Sequence, residues 1–484
     1  MRRRIQLVAL LFGWPLMGAV DLARDVVAYW PSADERAIAL LKQIGARGLI
    51  VPLETVKTAS FAKQGKLSGI AVIGAFGAEG AAGEKVKSAR ALGLSGVAIE
   101  QPKDAAGVRE LAKANADLTV VAYLKADQWG WDVAPAVAVV REGQWPGIHP
   151  VDTGSAGATE RPWVDANGYL YSYLRGMYPK RAAIAGYRPD KEAGLPPERS
   201  VRPATLELAI AEARAGGGNY ILSLPPLYRE GLLRGESRTV ASWKQLGRTI
   251  EMLKARQTVY DSGLTSRVGI VAHDWEQAYE LLNMSYRNNL FPTVIPETGI
   301  ASLAGSGLSV VAAAGVTPSA AGKTNLMSFA RAGGTLLLAP ADAAGERWWK
   351  GMVAEKPAGG KDQEWVKLGA GRALLYLDPV LDPAEFALDL IDTLGNQPRD
   401  LRIWNASAVL GMVHRKEGGK ALLTLINYGG THRDIIMVRA AGLYKSAVIH
   451  RVGGATAPLE VRQRRTMTEM TLQVLDGVAL IELE

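Results

Sequence analysis

The sequence predicts an α/β protein: a (β/α)8 TIM barrel, then an open α/β domain, then a small antiparallel β-sandwich. Eight short runs rich in Val, Ile, Leu and Ala lie between residues 26 and 226, most of them separated by amphipathic segments. Strands covered on both faces have this pattern, and eight strand–helix units close a barrel. The alternation resumes after residue 263, and from about residue 401 it gives way to short alternating strands with Gly and Asn at the turns.

Each predicted element follows from its local pattern. The barrel strands are predicted at 26–30, 48–53, 70–76, 96–100, 119–125, 145–151, 182–189 and 219–226. A long last helix begins at Ser237 and ends near Gly263, a natural domain boundary. We therefore predict a signal peptide at 1–19, a barrel at 24–262, an α/β domain at 263–398 and a β-sandwich at 399–484.

The N-terminus and the composition restrict location and partners. Three arginines followed by an apolar run are typical of a secretory signal peptide and predict export to the periplasm or beyond, with an uncleaved anchor as the alternative. No later stretch is apolar enough to span a membrane. The net charge of +8 is spread without a long basic run, which argues against a nucleic-acid partner. The chain has no cysteine, so disulfides and thiolate chemistry are excluded.

The order of domains resembles the family 42 glycoside hydrolases, which are β-galactosidase-like. The segments VGIVAHDWEQAYELL, LSVVAAAG and FARAGGTLLLAP are similar to the trimerisation domain of that family, itself similar to class I glutamine amidotransferases. Without a cysteine nucleophile, this domain resembles the non-catalytic version. GGGNYILSLPP is similar to the eighth barrel strand of the α-L-fucosidases. The resemblance implies a glycoside hydrolase acting on an oligo- or polysaccharide, without a cofactor, that could form a homo-oligomer.

Glycoside hydrolysis generally uses two carboxyl groups, one acting as proton donor and one ionised. Glu100 ends the apolar run GVAIE, so a barrel strand would deliver its carboxyl group to the rim. The family carries its acid/base glutamate after the fourth strand in an Asn-Glu pair, whereas Ile99 precedes Glu100 here. The resemblance implies that Glu100 is the proton donor. A rim glutamate paired with Lys103 or Lys125 is the alternative.

The second carboxylate is harder to assign. The family places its nucleophile at the end of the seventh strand, where this chain reads AIAGYRPD without a glutamate. Asp190, which could equally be a turn former after proline, and Asp152 are two candidates, and Asp127 after the predicted fifth strand is a third. Glu54 closes the predicted second strand and could point into the same mouth.

Aromatic residues near the predicted strand ends suggest a saccharide groove, because an aromatic face packs on the C–H face of a sugar ring. Some of these rings could instead cap the barrel core. His149 precedes Asp152, and contact with substrate is a better interpretation than a metal site, because more ligands would be needed. The predicted substrate-binding residues are Trp30, Glu54, Lys125, Asp127, Trp129, His149, Trp163, Tyr187 and Tyr228.

Two other functions stay open. The barrel could be a catalytically inactive carbohydrate-binding or scaffolding protein, which the missing seventh-strand glutamate favours. A hydrolase with an unfamiliar site on the second domain is the third interpretation. A second carboxylate facing the cavity of Glu100 would favour catalysis, whereas only amides and aromatic rings there would favour binding.

Overall fold

The computed structural model describes residues 20–77, 82–149, 163–195, 202–264, 266–341, 347–353, 363–395, 397–430 and 434–484. The predicted signal peptide at 1–19 lies outside the described residues. Within the described ranges, no helix has both the length and the apolar character needed to cross a membrane.

A closed barrel of eight parallel strands forms the first domain. Its first six strands are β1 (Val27–Tyr29), β2 (Gly48–Pro52), β3 (Ala71–Phe76), β4 (Gly96–Ile99), β5 (Thr119–Leu124) and β6 (Val137–Val140). A hairpin of β7 (Gly147–His149) and β8 (Trp163–Asp165) follows, and β9 (Ile184–Ala185) and β10 (Asn219–Ser223) complete the barrel. β10 pairs with both β9 and β1, which closes the cylinder.

The predicted sixth strand was wrong. The run at 145–151 contributes β7 to the hairpin outside the barrel, and the strand between β5 and β9 is Val137–Val140. A short 3-10 turn at Ala126–Gln128 is the helical element between β5 and β6. The connection from β5 to β6 spans residues 125–136 and contains this turn in place of an α-helix, so the strand–helix pattern did not reveal Val137–Val140 as a barrel strand.

Helices surround the barrel. Several are capped by an aspartate directly before the helix, such as Asp34 and Asp104. Its carboxylate accepts a main-chain N–H of the first turn and so satisfies a donor that the helix leaves unpaired. The barrel helices are α1 (Glu35–Gln43), α2 (Ala59–Leu67), α3 (Ala82–Ala91), α4 (Ala105–Ala114), α5 (Gly168–Met177), α6 (Thr205–Ala215), α7 (Pro226–Leu233), α8 (Ser237–Lys254) and α9 (Gln257–Asp261).

The second domain is an open six-stranded sheet that is parallel except for one edge strand. Its strands are β11 (Val268–Val271), β12 (Thr293–Ile295), β13 (Val310–Ala314), β14 (Thr335–Ala339), β15 (Gln363–Leu368) and β16 (Gly371–Tyr376). Its helices are α10 (Trp275–Arg287), α11 (Ala320–Arg331) and α12 (Pro383–Thr393). α10 packs against α5 of the barrel, so this domain lies beside the first.

Two antiparallel sheets of four and five strands form the third domain. Its strands are β17 (Leu401–Trp404), β18 (Val409–Arg415), β19 (Ala421–Asn427), β20 (Ile436–Ala441), β21 (Ala447–Arg451), β22 (Thr456–Leu459), β23 (Val461–Arg464), β24 (Met467–Leu472) and β25 (Val478–Leu483). One apolar core runs through all three domains and includes Trp30, Val310 and Leu410. The predicted fold class is therefore confirmed.

Candidate active site at the barrel mouth

Four charged side chains follow four neighbouring barrel strands and meet at one cavity. Glu100 follows β4, Lys125 follows β5, Glu142 follows β6 and Arg188 follows β9. The cavity has a volume of about 390 Å³, in the range of roughly 300–1,000 Å³ that small-molecule sites occupy. It lies at the C-terminal ends of the strands, the face on which barrel enzymes carry their chemistry.

Glu100 forms an ion pair with Arg188 inside this cavity. A guanidinium nitrogen of Arg188 donates to Oε1 of Glu100, and both side chains are about one quarter exposed, at 27% and 28%. The guanidinium also lies over the ring of Tyr29, 3.7 Å from the ring centroid. Arg188 therefore holds the Glu100 carboxylate across the barrel mouth, a partner that is neither Lys103 nor Lys125.

Glu142 is the second carboxyl group on the cavity wall. Its Oε1 accepts the N–H of Ala126 at 2.7 Å, and its Oε2 accepts the indole N–H of Trp129 at 3.1 Å. Burial raises the pKa of Glu142, although both hydrogen bonds favour the charged form. A carboxyl group whose pKa is raised by burial is suited to donate a proton near neutral pH.

The chain next to Glu142 is held close to the barrel. Gly143 has φ of 155°, and a Cβ at this position would collide with the ring of Tyr187. Glycine therefore allows the main chain after β6 to pass against the aromatic wall of the cavity. Glu142 was not among the predicted site residues. The apolar run AVAVV at 136–140 directly before it was the signal that could have found it.

Asp190 and Asp152 were predicted as the second carboxylate beside Glu100. Asp190 lines the cavity, but its Oδ1 accepts the N–H groups of Glu192 at 2.9 Å and Ala193 at 3.2 Å. Asp190 thus stabilises a turn, the alternative role that the sequence suggested. Asp152 lies outside the described residues.

Four of the aromatic residues predicted to bind substrate are buried in the core. Each packs against other apolar side chains, so none of these four rings has an exposed face on which a sugar could stack, in contrast to the expected open groove. Tyr187, which also lines the cavity, stacks on Tyr220 with ring centroids 4.5 Å apart. The four residues are Trp30, Trp129, Tyr187 and Tyr228.

The remaining predicted substrate-binding residues are spread over the barrel rim. Lys125 lines the cavity, whereas Glu54 and Asp127 are exposed on 3-10 turns and are not part of the cavity wall. His149 lies in β7, opposite Trp163 in β8. Trp163 is exposed, and the guanidinium of Arg287 covers one face of its ring at 3.3 Å from the centroid. Of these five residues, Lys125 is the one that lines the same cavity as Glu100.

A second aromatic wall, whose residues were not predicted from the sequence, lines the cavity on the side of the second domain. It consists of Tyr169 from α5 and of Trp275 and Tyr279 from α10. Trp275 and Tyr279 lie four residues apart and therefore share one face of the helix. The cavity wall thus combines carboxylates and cations from the strand ends with aromatic rings from α5 and α10.

A fully buried carboxyl group, Glu212 of α6, supports the cavity wall from behind. Its oxygens accept the N–H of Asn167 at 2.9 Å, the hydroxyl of Tyr428 at 2.9 Å and the hydroxyl of Tyr187 at 3.3 Å. Burial raises the pKa of Glu212 to about 7 against these hydrogen bonds. Asn167 in turn exchanges two hydrogen bonds with the main chain of Gln144, two residues after Glu142.

Among the described residues, no group of three or more His, Asp and Glu side chains is arranged to hold a metal ion. The cavity wall instead offers carboxyl groups, a guanidinium and aromatic rings. These groups can transfer a proton, stabilise charge and pack against a sugar ring.

The fold defined above is shared with several glycoside hydrolases of known structure. No protein-family model and no curated protein matches the sequence. A cold-adapted β-galactosidase from Rahnella sp. R3 superposes with a TM-score of 0.60 at 11% identity, over 97% of this chain and 100% of that chain. A catalytic mutant of a family 42 β-galactosidase from G. stearothermophilus gives 0.59 at 11% identity, over 96% and 98%.

α-L-Fucosidase isoenzyme 2 from Paenibacillus thiaminolyticus is similar over the same extent. It superposes with a TM-score of 0.57 at 9% identity, over 95% of this chain and 99% of that chain. The predicted resemblance to the family 42 architecture is confirmed at the level of the fold, over nearly the whole length of each chain. At these identities the likeness concerns the fold, and the function has to be argued from the site.

Proposed function

We propose that this protein hydrolyses glycosidic bonds in an oligo- or polysaccharide, at the cavity between Glu100 and Glu142. The observation that carries the proposal is the pair of carboxyl groups in unlike surroundings on one cavity wall. Glu100 lies against a guanidinium, whereas Glu142 is enclosed and its pKa is raised by burial. Carboxyl groups whose environments differ in this way can divide the roles of proton donor and ionised group. The shared fold of known glycoside hydrolases supports the same conclusion.

The surroundings favour Glu142 as the proton donor, in place of Glu100. Glu142 would protonate the oxygen of the leaving group, because a raised pKa keeps a larger share of its molecules protonated. Glu100 would face the positive charge that develops on the sugar ring in the transition state, with Arg188 fixing the position of its carboxylate. A water molecule would then add to the anomeric carbon and give its proton to the Glu142 carboxylate, which completes the hydrolysis. We also propose that the protein is exported, which rests on the arginine-led apolar N-terminus.

The test is hydrolysis of a broad panel of oligo- and polysaccharides by the wild type and by Glu100→Gln. The amide keeps the size of the side chain but cannot carry the negative charge, so we expect cleavage to fall by at least about 100-fold while binding is retained. Glu110→Gln is the matched control, since Glu110 is exposed on α4 away from the cavity. Equal cleavage by Glu100→Gln and the wild type would contradict the role of Glu100.

One observation favours a second candidate function, carbohydrate binding without catalysis. The end of the seventh barrel strand carries Arg188, whereas the family resemblance implied a nucleophilic glutamate at this strand end. Saccharide binding by both the wild type and Glu100→Gln, with no cleavage by either, would establish this second function.

A further inference from the structure

The second domain contributes two aromatic side chains to a cavity whose charged groups all come from the barrel. Asp274 caps the N-terminus of α10, and its carboxylate accepts the N–H of Gln277 at 2.9 Å. The side chain of Gln277 donates to the carbonyl of Ala314 at 2.7 Å, which ties the first turn to the central sheet of the second domain. Trp275 and Tyr279 are therefore presented to the barrel mouth from a firmly anchored helix.

The ring of Trp275 is held in place by barrel residues. Trp129 and Tyr173 contact it edge to face, with centroids 5.0 Å and 4.9 Å away. Tyr169 lies parallel to it, with planes 3° apart and centroids 5.8 Å apart. Trp275 is half-buried and is one of the residues that line the cavity. A ring fixed in this way loses little conformational entropy when a ligand packs on it.

Tyr279 extends the same surface by one helical turn. Its ring centroid lies 5.8 Å from that of Trp275, with planes 33° apart. Tyr279 is half-buried, and its ring packs against that of Trp275. It is therefore a part of the aromatic wall that can be changed without opening the core.

We propose that Trp275 and Tyr279 form a saccharide-binding subsite supplied by the second domain, so that the preferred substrate has at least two sugar rings. This inference rests on the proposed function: one ring lies at Glu100 and Glu142, and the next packs its C–H face on Trp275 and Tyr279. Aromatic side chains bind sugar rings in this way because they offer a large apolar face with few rotatable bonds.

The experiment compares Tyr279→Ala, Tyr279→Phe and the wild type by calorimetric titration with gluco-, galacto-, manno- and fuco-configured saccharides of one to four rings. Trp365→Ala is the matched control, because Trp365 is an exposed aromatic residue of the same domain outside the cavity wall. Unfolding curves confirm that each variant is folded. Cleavage of the same saccharides is measured in parallel.

We expect Tyr279→Ala to reduce the affinity for two or more rings roughly tenfold relative to its effect on one ring. Tyr279→Phe should restore the affinity because it keeps the ring, and Trp365→Ala should match the wild type. An equal effect on all lengths, or none, overturns the subsite even if cleavage occurs. A length-dependent loss of binding without cleavage by the wild type supports the subsite and contradicts the proposed hydrolysis. Failure of the wild type to bind any of these saccharides overturns both.

Discussion

Glu142 and Glu212 are two carboxyl groups whose pKa values are raised by the same cause, burial, yet they lie in different surroundings. Glu142 lines the cavity and accepts hydrogen bonds from Ala126 and Trp129. Glu212 is fully buried where the barrel meets the sandwich, and Asn167, Tyr187 and Tyr428 donate to it. A raised pKa alone therefore does not identify a catalytic group. Access to a ligand distinguishes the two residues, so their substitution is expected to have different effects.

The largest effect is expected for Glu142→Gln. An amide cannot donate a proton to the leaving group, so cleavage should fall about 10²–10⁴-fold. The loss should be smaller for aryl glycosides with acidic phenols as leaving groups, because these need little protonation. Since the donor must be protonated, wild-type activity should decline as pH rises through the pKa of Glu142, which burial raises. The checks are kcat/KM against leaving-group acidity and against pH.

The Glu110→Gln variant serves again as the control and should show neither change. An equal loss for good and poor leaving groups would mean that Glu142 is not the proton donor. Thermal unfolding of Glu142→Gln distinguishes a chemical effect from a loss of the hydrogen bonds to Ala126 and Trp129.

The Glu212 carboxyl group is expected to make the stability of the protein depend on pH. Its pKa rises from the ordinary value near 4.5 in the unfolded chain to about 7 in the folded protein. Between these two pH values the folded protein binds more protons than the unfolded chain. Protonated Glu212 therefore contributes to the free energy of unfolding fully below pH 4.5, and this contribution is lost as pH rises through 7. Between pH 5 and 8 the free energy of unfolding should fall by about 2–3 kcal/mol.

Urea unfolding of the wild type and Glu212→Gln across this range measures the effect. The variant should become more stable relative to the wild type as pH rises, because its amide does not titrate. Glu276→Gln, at an exposed carboxyl group of α10, should follow the wild type. Parallel pH curves for wild type and Glu212→Gln would contradict burial as the cause.

The smallest effect is expected for Tyr428→Phe. Tyr428 belongs to the sandwich, and its hydroxyl donates a hydrogen bond of 2.9 Å to the Glu212 carboxylate, which this change removes. Hydrogen bonds to charged groups are worth more than those to neutral ones, so we expect a loss of about 1–2 kcal/mol at pH 8. Tyr444→Phe, whose hydroxyl donates to the neutral carbonyl of Ala441, should cost about 1 kcal/mol or less. Equal costs for both would show that Tyr428 does not stabilise a charge.

Most barrel strands could be predicted because each is a short apolar run covered on both faces. The sixth strand was misplaced at 145–151 because which run enters the barrel depends on pairing with β5 and β9, and it is Val137–Val140 that makes these pairs. Because the strand before it was not predicted, Glu142 was not predicted as a site residue either. Glu100 was found because the strand before it was placed correctly, but its partner Arg188 lies 88 residues away, beyond the reach of any local pattern.

The sequence by itself determined the order of three domains, the absence of thiol chemistry and the arrival of Glu100 at the barrel rim, because these depend on composition and local periodicity. The tertiary structure alone decided which carboxyl groups share the cavity, which aromatic rings are buried and that α10 supplies part of the wall. The physical reason is that burial and pairing arise from contacts between residues distant in the chain. Periodicity shows that a side chain is apolar or charged, but not what it faces.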